Sequence, residues 1–241
     1  MVRKTLASPY CFPAVMAAYV GVVLAVDQNL DATGQIALGV TTWVFLLLAC
    51  RDLAPQDRAR TAAVVLVATC GEILGSLVLG LYTYRLHNLP TFVPPGHGLF
   101  YLTGLQLSRS PLVRRHARKL KGLVLGAGGC WALAGVTITR RPDVAGALCM
   151  LALAYFVLRG RAPMLYGCMF AVVSLLELYG TAMGTWRWAE VWPYYGLSSG
   201  NPPSGISAGY VLFDAAALAL GPALLALWQR GRLRLAPQPA P

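Results

Sequence analysis

The sequence predicts an all-α polytopic membrane protein of about eight transmembrane helices, arranged as two parallel four-helix repeats. Three observations carry this. Of 241 residues, 57% are hydrophobic and only 12% charged, with mean hydropathy +0.59, whereas soluble proteins are roughly 25% charged. Such a composition, with apolar runs near the length of a bilayer crossing, belongs to a membrane protein. The basic residues lie in short clusters between those runs. A motif of about thirty residues also occurs twice, which marks a tandem duplication.

The apolar runs fall at about 10–26, 34–50, 61–81, 96–113, 120–139, 143–159, 164–184 and 205–228. The first follows MVRK and imitates a signal peptide, with a small-residue cleavage site conceivable near Ala25. It matches a run in the second repeat, so it is kept as a span. The fourth is the least regular, because Arg109 and Pro111 interrupt its inner end. An arginine there can snorkel to the interface. The first repeat covers 1–116 and the second 117–234, and residues 235–241, ending APQPAP, read as a disordered tail.

Loop charges set the orientation. One set of loops carries Arg3, Lys4, Arg51, Arg58, Arg60, Arg109, Arg114, Arg115, Arg118, Lys119, Lys121, Arg159, Arg161, Arg230, Arg232 and Arg234. The other carries Arg85, Arg140, Arg141 and Arg187, a ratio of 16 to 4. The positive-inside rule then makes both termini cytoplasmic. Four spans per repeat is an even number, so the repeats share one orientation and an axis along the membrane normal. The net charge of +11 is explained by topology and not by a basic face, so no nucleic-acid partner is expected. Short loops and abundant Ala, Leu, Gly and Arg are compatible with a bacterial inner membrane. The six cysteines show no CxxC or Cys/His metal spacing and read as small packing residues.

In the duplicated motif, Glu72, Gly75, Gly80, Tyr82, Tyr84, Pro94 and Pro95 pair with Glu177, Gly180, Gly184, Trp186, Trp188, Pro202 and Pro203. Topology puts both motif loops on the outer face. An aromatic belt is the ordinary reading of such Tyr and Trp residues, but their matched spacing favours a site. The glycines fit close helix contact between the repeats.

Ionisable groups inside a bilayer point to function by default. Glu72, Glu177 and Asp214 lie within spans and can converge on one cavity in the outer half of the membrane. Two carboxyls brought together away from water do not share charge equally, which yields a proton donor beside a charged stabiliser. The alternative is that each acid holds a neighbouring helix by a hydrogen bond. His97, in PPGHG, can pass a proton. Arg85 and Arg187 follow the aromatic pairs and can hold a headgroup or simply contact lipid. Asn201 can cap the last helix or point its amide into the site.

No GxSxG, P-loop, HExxH or dinucleotide fingerprint is present, so serine–histidine or metal hydrolysis is poorly supported. Glu72-x-x-Gly75 with Gly80-x-Tyr82-x-Tyr84 resembles a motif of the membrane-embedded carotenoid hydratases of the bacterioruberin and deinoxanthin pathways. Gly184-x-Trp186-x-Trp188, with Tyr195-Gly196 and Asn201, is similar to that family's second aromatic motif. The resemblance implies a multi-span bundle that adds water across the terminal double bond of a linear carotenoid.

The residues suit that class of chemistry. Hydration, isomerisation or cyclisation of an isoprenoid begins by protonating a carbon–carbon double bond. Glu72 or Asp214 would donate and Glu177 would act as stabiliser or base. Tyr82, Tyr84, Trp186 and Trp188 would line the substrate and face the carbocation. No metal or redox cofactor is called for. Two other classes stay open: a small proton- or cation-coupled transporter, and an accessory subunit of a membrane complex.

Overall fold

The apolar runs fold as helices in the computed structural model, which describes residues 9–235. In chain order these are α1 (Cys11–Asp27), α2 (Ala32–Cys50) and α3 (Pro55–Glu72), the last prolonged by a π-helical turn, Ile73–Val78. The short strand β1 (Tyr82–Tyr84) precedes α4 (Val93–Arg109), the one-turn α5 (Pro111–Arg115), α6 (Ala117–Thr137), α7 (Val144–Arg159) and α8 (Pro163–Ala182). Then come β2 (Trp186–Trp188), β3 (Val191–Trp192), β4 (Leu197–Ser198) and α9 (Ser207–Leu235). The tail residues 236–241 and the basic pair Arg3 and Lys4 lie outside the described residues.

The helix starts are written in the sequence. Proline stands in the first turn of α3, α4, α5 and α8, where its missing N–H costs nothing. The Asp31 carboxylate accepts from Gly34 N at 2.8 Å and caps α2. Asp143 does the same for α7, accepting from Gly146 N at 3.0 Å.

α4 is the axis of the bundle. It is buried without a break from His97 to Leu105, with α1, α2, α3 and α8 packed around it. A helix with no outward face needs no apolar exterior, which explains why Tyr101, Thr103 and Gly104 interrupt its hydrophobicity. Gly104 admits close packing: a Cβ there would come within 2.4 Å of the Met169 sulfur on α8. Arg109 is half exposed but also has a protein partner, which the sequence reading did not foresee. It donates to Asp57 of α3 at 2.7 and 2.9 Å and clamps the far ends of the two helices.

The outside of the bundle is apolar and its inside holds the polar groups. Leu47, Leu123, Leu151 and Leu175 are 64%, 67%, 68% and 70% exposed, while Asp27, Gln35, Glu72, His97, Glu177 and Asp214 are all buried. Soluble proteins show the reverse. Five helices are long and apolar enough to cross a membrane: Ala32–Cys50, Pro55–Val78, Ala117–Thr137, Pro163–Ala182 and Ser207–Leu227. α1 and α7 are shorter apolar helices.

The structure adds short strands to the all-helical expectation. β1 and β2 pair antiparallel, with Tyr82 opposite Trp188, Thr83 opposite Arg187 and Tyr84 opposite Trp186. Arg85 N donates to Thr185 O and Ala189 N to Leu81 O, both at 2.9 Å, extending the ladder. β3 and β4 form a second antiparallel pair. These loops interlock at one end of the bundle, and that end carries the candidate site.

Candidate functional site

Each copy of the motif is one local device. A helix ends, the chain reverses at a glycine, and a strand folds its aromatic rings back beneath the helix onto the glutamate. Gly80 and Gly184 make the reversal, with φ of 63° and 71°, a conformation that costs glycine little. Gly75 and Gly180 make the room. A Cβ on Gly75 would lie 3.1 Å from the Tyr82 ring, and one on Gly180 would lie 1.9 Å from the Trp186 ring. These two glycines therefore serve ring packing within a repeat, and not the inter-repeat helix contact expected from the sequence.

The copies differ by one residue. Gly75 to Gly80 spans five positions and Gly180 to Gly184 four. The π-helical turn at Ile73–Val78 absorbs the difference. It includes a Leu79 N to Leu74 O bond of 2.8 Å. Such single-turn π segments occur often at functional sites.

Alternation along a strand puts residues i and i+2 on one face. Tyr82, Tyr84, Trp186 and Trp188 all point inward and are buried, while Thr83 and Arg187 point out. Tyr82 and Tyr84 donate to Glu72 Oε2 at 2.7 and 2.6 Å. The other oxygen, Oε1, lies 2.8 Å from His97 Nε2. Trp186 and Trp188 both donate their indole N–H to Glu177 Oε2, at 2.9 and 3.0 Å. No described residue bonds to Glu177 Oε1. Burial, with the Glu72 carboxylate beside them, pushes both tyrosine hydroxyls well above their ordinary pKa, so they remain donors.

The four rings form one wall. Tyr82 contacts Trp188 with centroids 4.5 Å apart, and Tyr84 meets Trp186 edge-on at 6.2 Å. Trp192 stacks on Trp188 at 6.2 Å. Opposite, His97 stacks on Tyr210 at 4.8 Å and meets the edge of Phe213 at 5.7 Å. Glu72, Glu177, His97 and these rings line a cavity of about 280 Å³.

Sequence reasoning named seven of the residues that line this cavity, Glu72, Glu177, His97, Tyr82, Tyr84, Trp186 and Trp188, and three others were placed differently from what it suggested. Asp214 is buried, but it does not line the cavity with the glutamates, and its Oδ2 has no hydrogen-bond partner among the described residues. Arg85 turns from the membrane side and donates to Leu30 O at 2.6 Å, with its Nε 3.5 Å from Asp27 Oδ2. It ties β1 to the α1–α2 turn. Asn201 neither caps α9 nor enters the cavity; its Oδ1 accepts from Trp188 N at 3.0 Å and holds β2 in register.

The sequence reading passed over Tyr210 and Phe213, which only packing brings to the cavity. It also passed over the polar scaffold behind the strands. Gln35 donates to Asp27 Oδ1 at 2.7 Å and accepts from Asn88 at 3.0 Å. Asp143 accepts from Gly146 N, Gly200 N and Ser204 N at 3.0, 2.7 and 2.7 Å. A polar residue at the very end of an apolar run was the available signal for Asp27, and the start of α7 for Asp143.

Among the described residues no group of three or more His, Cys, Asp and Glu side chains comes together to hold a metal ion. No family model, curated protein or solved structure matches the chain.

Proposed function

We propose that this is an integral membrane enzyme that performs acid–base chemistry on an isoprenoid or other lipid, in the cavity between Glu72 and Glu177. In this reading the chain crosses the membrane eight times as two parallel four-helix repeats. Both termini are cytoplasmic, the membrane is a bacterial inner membrane, and the cavity opens in its outer half. The apolar exterior and polar interior support the membrane placement, as does the 16-to-4 loop charge ratio.

The observation that carries the chemistry is the pair of repeat-matched glutamates, each hydrogen-bonded by two aromatics of its own repeat and both lining one ring-walled cavity. Glu72 Oε1 meets His97 Nε2 at 2.8 Å, a contact through which a proton can reach the cavity. Glu177, with Oε1 free of protein partners, suits the acceptor. A proton from Glu72 adds to one carbon of a double bond and leaves a cation on the other, facing the rings. In hydration, a water oxygen bonds to that carbon and its proton passes to Glu177, so the net change is the addition of one water. In isomerisation or cyclisation, Glu177 instead takes a proton from a neighbouring carbon. Hydration of a carotenoid end, as the sequence resemblance implies, is one case.

The test is mass-spectrometric profiling of lipids and pigments in cells expressing wild type, Glu72→Gln or Glu177→Gln at matched protein levels. A product gained by a fixed mass, such as that of water, and abolished by either substitution is the expected result. Identical profiles in all three strains would overturn the reading for the lipids of that host.

A proton-coupled transporter is the second reading, and one observation favours it. Asp214 Oδ2 and the Tyr101 hydroxyl are both buried and without a hydrogen-bond partner among the described residues, outside the glutamate cavity, as a proton path deeper in the bundle would require. Proton-coupled uptake lost in Asp214→Asn, with an unchanged lipid profile, would select it.

A further inference from the structure

A second cavity, of about 540 Å³, adjoins the first between α1 and α8. Met16, Val20, Phe100 and Leu176 line both. Its volume is within the roughly 300–1,000 Å³ common for small-molecule sites. Its outer rim is formed by exposed residues of the bundle exterior, Ala17 on α1 and Leu175 on α8.

Among the described residues lining the groove, both hydroxyl protons are already engaged. Thr103 Oγ1 donates to Leu99 O at 2.8 Å on its own helix. The Tyr179 hydroxyl donates to Gly21 O at 3.1 Å, bridging α8 to α1. Toward the loop end, Gln28 Nε2 donates to Met183 O at 2.7 Å and closes the gap between the same helices. The groove is therefore bridged by hydrogen bonds at the loop end, open sideways along its length, and lined mainly by apolar side chains.

We propose that this groove is a lateral portal and tail site: it holds the hydrocarbon chain of a lipid whose reacting end lies between Glu72 and Glu177. The inference rests on the acid–base reading of the glutamate cavity and specifies its substrate as a long hydrocarbon chain without polar groups and with one reactive end. Adjacency of the two cavities across Met16, Val20, Phe100 and Leu176 supplies the length, the engaged hydroxyl protons leave a polar tail no side-chain donor, and the sideways opening faces the phase in which such a lipid dissolves. A water-soluble substrate would need an opening through the interlocked loops instead.

The substitution Gly21→Phe tests this directly. A Cβ at Gly21 meets nothing within 4 Å, and the Tyr179 bond is to the backbone, so the new ring can fill the groove without touching either glutamate. Ala17→Trp, at an exposed position on the same rim, is the second blocking variant. The full chain in lipid nanodiscs is photolabelled with a geranylgeraniol analogue carrying a diazirine on its distal isoprene unit. A palmitic acid analogue with the diazirine at its methyl end forms a second arm, and labelled peptides are mapped by mass spectrometry.

The expected result is label concentrated on α1 and α8 at the groove and reduced about tenfold by either blocking variant, equal to about 1.4 kcal/mol of binding. Glu72→Gln and Glu177→Gln should leave it in place. Labelling by the prenyl probe alone identifies an isoprenoid chain, and labelling by the acyl probe alone an acyl lipid. Label spread evenly over the outward faces of α2 and α6, or undiminished by both blocking variants, overturns the tail site. The two readings separate cleanly. Groove labelling with an unchanged lipid profile in the glutamate variants removes the chemistry alone. Loss of product in those variants without groove labelling removes the portal alone.

Discussion

Gly180 and Trp186 are in direct contact: a Cβ on the glycine would lie 1.9 Å from the indole ring. The ring occupies the space a side chain would fill, and from there its N–H reaches Glu177 Oε2 at 2.9 Å. In the first repeat, Gly75 stands in the same relation to Tyr82 but more loosely, at 3.1 Å. The glycine three residues after each glutamate is thus a packing requirement of the aromatic that bonds to that glutamate.

Gly180→Ala should therefore displace Trp186 and destabilise the fold by about 1–3 kcal/mol, the usual range for overpacking. Gly75→Ala should cost clearly less, because a few tenths of an ångström of ring movement relieves the contact. Thermal unfolding in detergent checks the order. Equal stability in the two variants would contradict the geometry.

Trp188→Phe and Tyr84→Phe each keep a ring and delete one donor to a buried carboxylate. Each should cost about 1–3 kcal/mol and reduce product formation further than it reduces stability. The measurement is unfolding temperature beside product yield in the same preparations.

Asp143→Ala removes the acceptor of three backbone N–H groups at once. Two of these, Gly146 and Ser204, are bonded where burial is deep, so a loss of roughly 3 kcal/mol is expected. Limited proteolysis should then cut the 198–206 segment, which wild type protects. Arg109→Ala should cost no more than about 1 kcal/mol. Its guanidinium is 48% exposed, and ion pairs that water reaches contribute little.

Alkaline pH should weaken the site end specifically. Tyr82 and Tyr84 are held neutral in the fold, above the ordinary tyrosine value of 10.0. A raised folded pKa contributes stability that is complete below the unfolded value and lost as pH climbs past it. Stability should thus be insensitive to these tyrosines up to about pH 10 and fall above it. The Tyr82→Phe/Tyr84→Phe double variant should fall less steeply across the same range. Unfolding curves between neutral pH and pH 11 decide the matter.

Local features were legible because their causes are local. The apolar runs became helices because hydrophobic length and first-turn prolines act within a few residues. The repeated Glu-x-x-Gly and aromatic spacing identified Glu72, Glu177, Tyr82, Tyr84, Trp186 and Trp188, because a short-range reversal connects each glutamate to its own rings. The ion pair of Arg109 was not foreseen because its partner, Asp57, is 52 positions away. The burial of α4 could not be inferred from its own composition, since being surrounded is a property of its neighbours.

By itself the sequence determined the helices, the duplicated device and the glutamates at its centre, all of which follow from neighbours along the chain. Tertiary structure alone decided that β1 and β2 pair across the repeats, so that the two devices share one aromatic wall. It likewise brought Tyr210 and Phe213 to His97 and left Asp214 outside the cavity. Those outcomes depend on how the surrounding helices divide the space around α4, and side-chain volumes meeting across distant segments set that division.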